Sequence, residues 1–153
     1  MKKLFGFLLV LISCSANAGK GPFSLGAILG NPTGLSGKMD LDKNEALDGA
    51  FSWSLGSHAG TEVHVDYLRI RPQSIEAGDT WIDLYYGIGG RLISLSSDDN
   101  RGKLAIGPRA PIGLSHELAD PRIQFFGEVA LVLNLTPSTS ADIDLGVGAR
   151  YRF

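Results

Sequence analysis

Residues Asp142-Ile143-Asp144-Leu145-Gly146-Val147-Gly148-Ala149-Arg150-Tyr151-Arg152-Phe153 alternate without a break. Successive side chains in a strand point to opposite faces. Ile143, Leu145, Val147, Ala149, Tyr151 and Phe153 therefore share one face, and Asp142, Asp144, Gly146, Gly148, Arg150 and Arg152 share the other. One face suits hydrocarbon and the other suits water.

The opposite end of the chain reads differently. Lys2 and Lys3 precede an apolar run from Leu4 to Ile12, and Ala16-Asn17-Ala18 follows as a small-x-small cleavage site. This pattern predicts a signal peptide over residues 1–18, cleaved to leave a domain at 19–153. The apolar run is too short for a membrane helix, which takes about twenty residues. Leu11-Ile12-Ser13-Cys14 also has the form of a lipobox, in which Cys14 would be lipidated, but ordinary cleavage fits the rest of the chain better. Removing residues 1–18 from the 153 leaves 135, enough for one domain. Lys2 and Lys3 leave with the signal, so 12 basic side chains face 16 acidic ones, a balance that does not suit nucleic acid. Without Cys14 no cysteine remains for disulfides or thiolate metal sites. Beyond the signal no apolar run is long enough for a helical span, so membrane insertion would require a closed barrel.

Turn-forming clusters divide the mature region into eight alternating segments. They are predicted at Phe23 to Gly30, Leu35 to Leu41, Ala46 to Leu55, a segment centred on Glu62 to Tyr67, Ile82 to Leu92, Leu104 to Leu118, Ile123 to Leu135, and the final strand. The pattern blurs from Leu68, and Pro72 to Thr80 reads as the longest break. Pro108 and Pro111 lack an N–H, so a bulge or a broken ladder is expected there. Helical spacing is not sustained anywhere in this region. The expected fold is all-β, an eight-stranded antiparallel up-and-down transmembrane β-barrel.

A soluble lipocalin-like ligand-binding barrel is the rival, because alternation alone does not say which face is inside. The polar face is rich in Gly, Ala and Ser, as a narrow eight-strand interior needs. The ending with Tyr151 and Phe153 resembles the C-terminal sorting strand of bacterial outer-membrane β-barrels. That resemblance implies recognition by the barrel-assembly machinery, with Tyr151 and Phe153 as the assembly signal, and residence in outer-membrane lipid. The segments Gly87-Ile88-Gly89-Gly90-Arg91 and Gly146-Val147-Gly148-Ala149-Arg150 add to a likeness to small barrels of the OmpA/OmpX type. Trp53, Tyr67, Trp81, Tyr86, Tyr151 and Phe153 suit anchoring at a membrane interface.

On this reading the inward face collects Lys38, Asp40, Asp48, His64, Asp66, Asp83, Arg91, Arg109, Glu117, Glu128, Asp144, Arg150 and Arg152. They are expected to pair into a polar network that fills the lumen. Arg150 and Arg152 should meet carboxylates such as Asp40 and Glu128, and His64 should form an ion pair or hydrogen bond with Asp66. A narrow ion or solute channel is the functional alternative. With both termini in the periplasm, the turns at 31–34, 56–61, 96–103 and 137–141 lie outside, and their short length leaves room only for a modest surface ligand.

No enzyme is expected. Ser115, His116 and Glu117 are consecutive, so alternation sends His116 away from the other two and spoils a triad. His58 reads as a solvated loop residue. Neither metal nor cofactor is expected, since Asp98-Asp99-Asn100 lacks the ligand spacing of a calcium loop.

Overall fold

In a computed structural model, residues 21–54, 60–95, 103–118 and 122–153 are described. They form eight strands: β1 (Phe23–Asn31), β2 (Gly34–Asp40), β3 (Glu45–Ser54), β4 (Gly60–Ala77), β5 (Thr80–Leu95), β6 (Lys103–Glu117), β7 (Ile123–Asn134) and β8 (Ser140–Arg152). Each pairs antiparallel with the next, and β8 returns to β1 through a register from Ser24↔Arg152 to Asn31↔Leu145. The sheet is a closed barrel without a free edge. Among the described residues, no helix is long and apolar enough to cross a membrane. The predicted signal peptide, Cys14, His58 and Asp98-Asp99-Asn100 lie outside the described residues.

The segment from Pro72 to Thr80 is not a break. β4 continues to Ala77 and pairs with β5 down to a turn at Gly78-Asp79, where Gly78 adopts φ +64°. Between the pairs Arg71↔Leu84 and Ile75↔Ile82, Pro72, Gln73 and Ser74 oppose Asp83 alone. Asp83 holds this bulge by accepting the Gln73 N–H at 2.8 Å, and the Ser74 hydroxyl donates to the Arg71 carbonyl at 2.7 Å. Of the bulge or broken ladder expected at Pro108 and Pro111, the broken ladder is found. The β5–β6 ladder is interrupted between Tyr86↔Ile112 and Gly89↔Arg109, but the register is the same on both sides. The prolines remove hydrogen bonds there without inserting a residue.

Closure sorts the two faces. Leu29, Val65, Ile88, Ile106, Ile112, Leu131, Leu145 and Val147 project outward and are exposed, Ile88 by 66%. The inward face carries the buried charges together with an apolar cluster of Ile28, Ala46, Ala50, Leu68, Tyr85 and Phe126. An eight-strand lumen is only wide enough for side chains to fill it. Large inward groups therefore need small neighbours.

The inward glycines supply that space. A Cβ at Gly148 would stand 2.5 Å from the Phe126 ring and 2.4 Å from the Ala27 carbonyl oxygen. One at Gly113 would meet the Tyr85 ring and hydroxyl at 2.4 Å. The rings of Phe126 and Tyr85 occupy the volume that these glycines leave. Gly148→Ala should lower the unfolding free energy by about 1–3 kcal/mol, the usual cost of overpacking. Urea titration of the folded protein checks this, with Ala149→Ser as a control beside it on the other face.

Candidate functional site

The charged lumen is the one place where the described residues gather ionisable side chains away from water. Arg109, on β6 and 2% exposed, is its centre. Its guanidinium binds Asp66 of β4 through one terminal nitrogen and Glu128 of β7 through the other, and its Nε lies 3.6 Å from an oxygen of Asp144 on β8. Charge-assisted bonds to several acceptors offset part of the desolvation that burying a guanidinium incurs. Glu128 also accepts the Tyr85 hydroxyl at 3.1 Å, which ties the ion cluster to the apolar one.

Two further arginines extend the network. Arg91 places Nη1 2.9 and 3.1 Å from the two oxygens of Asp144, and its Nη2 donates to Asn134 and Asp142, each at 3.0 Å. Arg150 places Nη2 2.8 Å from each oxygen of Asp48 and 2.7 Å from the Ser36 hydroxyl, and its guanidinium stacks over the Phe126 ring at 3.8 Å. Its partner is thus Asp48 rather than Glu128. Register explains the difference, because β7 sets Gln124 opposite Arg150 and places Glu128 opposite Gly146.

Near the end of the barrel where β1 begins and β8 ends, Arg152 bridges Asp40 and Glu117, and the Lys38 ammonium lies 2.7 Å from Asp40. These groups line an open cavity of about 640 Å³, to which Asp83 and Ile70 also contribute. Ile70 packs against the apolar cluster as well.

All thirteen residues expected in the lumen face it or its mouth. Asp83 takes no part in the ion pairs and holds the β4 bulge instead. The expected bond between His64 and Asp66 does not form. Asp66 turns to Arg109, while His64 Nδ1 lies 3.6 Å from Glu62 and has no hydrogen-bond partner. His116 reaches the Trp81 carbonyl at 3.0 Å and the Thr80 hydroxyl at 3.4 Å, whereas Ser115 is buried and Glu117 pairs with Arg152.

Sequence reasoning missed the inward roles of Ile28, Leu68 and Phe126. Each is in phase with polar inward neighbours: Ile28 with Ser24, Leu68 with His64 and Asp66, Phe126 with Gln124 and Glu128. That phase was the available signal. Comparison with family models, with curated proteins and with solved structures yields no match.

Removing the Arg109 charge strands Asp66 and Glu128 in the lumen. Arg109→Met should destabilise the barrel by about 3–5 kcal/mol, the usual cost of breaking one side of a buried ion pair. A triple variant that also carries Asp66→Asn and Glu128→Gln should recover part of that loss in the same urea titration.

Proposed function

We propose that this chain is an integral outer-membrane β-barrel that acts as a structural or surface-interaction protein, with a side-chain-filled polar interior and no open pore. The observation that carries this reading is the polarity of the barrel, with its ions inside and its large apolar side chains outside. In water such a wall would expose far more contiguous apolar surface than a soluble monomer tolerates. In lipid the same wall is the favourable one, and closure satisfies the strand backbone.

The aromatic residues support the same placement. Phe23, Trp81, Tyr151 and Phe153 lie outward near the end that holds the first and last strand residues, and Phe51 and Trp53 lie outward toward the other end. Such rings suit the two interfaces of a bilayer. The barrel-assembly machinery is the partner that Tyr151 and Phe153 would engage during insertion. A soluble lipocalin-like role fits less well, because its ligand would meet Arg109, Asp66 and Glu128 in place of an apolar pocket. The ion pairs and the apolar cluster across the lumen favour a closed interior over a channel. Surface interaction would fall to the loops opposite the termini, of which 55–59 and 96–102 lie outside the described residues.

Fractionation and gel mobility test this reading. The protein should sediment with outer membranes and migrate differently before and after boiling; recovery as a soluble periplasmic protein would refute it. Ile112→Arg or Val129→Arg should lower folding stability in lipid vesicles by about 2–4 kcal/mol, as expected for a cation near the bilayer midplane. Steady conductance levels of the purified protein in a planar bilayer would overturn the closed interior.

A further inference from the structure

Glu62, His64 and Asp66 occupy alternate positions of β4 and face the lumen. His64 and Asp66 are 4% and 1% exposed. Glu62 Oε1, His64 Nδ1 and Asp66 Oδ1 are buried, and none has a hydrogen-bond partner. Glu128 approaches from β7, so that ligand atoms of His64, Asp66 and Glu128 lie within 4.8 Å of one another. An unpaired buried polar atom costs about 1–3 kcal/mol. Three on one wall point to an occupant that accepts their lone pairs.

Charge identifies the kind of occupant. Among the described residues, the carboxylates of Asp48, Glu62, Asp66, Glu128 and Asp144 share this part of the lumen with the guanidiniums of Arg91, Arg109 and Arg150. Lys38, Asp40, Glu117 and Arg152 pair among themselves at the mouth. Among these named groups, five carboxylates face three guanidiniums. Moreover, Glu62 Oε1 and His64 Nδ1 are 3.6 Å apart, too far for a good hydrogen bond.

We propose that His64 and Asp66 of β4, with Glu128 on the facing strand, form a binding site for a divalent transition-metal cation of the zinc type, with Glu62 at its entrance. An imidazole among carboxylates selects such an ion over magnesium or calcium, which prefer all-oxygen shells. Asp66 would ligate through Oδ1 while Arg109 holds its Oδ2. Glu128 is oriented by Arg109 and by the Tyr85 hydroxyl. Access runs past Glu62, whose side chain keeps 12% exposure. This site goes beyond the membrane role and depends only on the interior geometry.

The test is zinc binding by the full chain, folded in detergent micelles, stripped with a chelator and titrated with Zn²⁺ against a chromogenic competitor. About one ion per folded chain is expected, as for a single built site. His64→Gln and Asp66→Asn should each weaken binding at least about tenfold, on the scale of losing a group that holds a metal. His116→Gln should leave it unchanged, and excess Mg²⁺ should not displace the zinc. Folding of each variant is scored by heat-modifiable mobility, and Glu128→Gln replaces any variant that fails to fold, with the same loss expected. No stoichiometric zinc on the folded wild type, or undiminished binding in folded His64→Gln, would overturn the proposal.

Discussion

A guanidinium taken out of water needs acceptors on several sides, and Arg109 finds them on three different strands: Asp66 on β4, Glu128 on β7 and Asp144 on β8. β7 and β8 are neighbours, but β4 lies two strands away from β6 on its other side, and on a flat sheet one side chain of β6 would not reach all three. Only after the sheet has curled and β8 has met β1 do they converge on one point. Closure and the ion cluster are thus mutually dependent. The backbone ladder brings the carboxylates together, and the arginines neutralise charges that would otherwise oppose closure.

Filling the lumen with ions fixes the polarity of the wall. Because side chains alternate, every inward Asp, Arg or Ser obliges its chain neighbours to face out, and in this chain many of those neighbours are Leu, Ile, Val and aromatic residues. The glycines in Gly87-Ile88-Gly89-Gly90-Arg91 and Gly146-Val147-Gly148-Ala149-Arg150 follow from the same narrowness. Gly89 leaves room for Asp66, Gly146 for Ile28 and Gly148 for Phe126.

Period-two alternation made the strands and the inward charged set legible from the sequence, because it depends only on chain geometry. Partner choice was not legible. Arg150 pairs with Asp48, and Asp66 with Arg109, because of inter-strand register, which is a property of the closed sheet and is not written at any one position. The β4 extension was hidden for another reason. Pro72 and Gly78 are turn residues by local chemistry, yet Asp83, eleven residues beyond Pro72, supplies the acceptor that lets the strand resume. Ile28, Leu68 and Phe126 escaped notice because apolar groups were expected only outside. The unpartnered atoms of Glu62, His64 and Asp66 likewise become visible only once the neighbouring strands are in place.

The outward wall is tested most directly through the two tryptophans of the chain, Trp53 and Trp81, both about half exposed on the outer face and toward opposite ends of the barrel. Fluorescence of the protein reconstituted in vesicles that contain brominated lipids reports whether these rings touch lipid. Strong quenching by bromines placed near the headgroups, with little quenching by aqueous iodide, is the result this account predicts. Free access to iodide with no response to brominated lipid would contradict it.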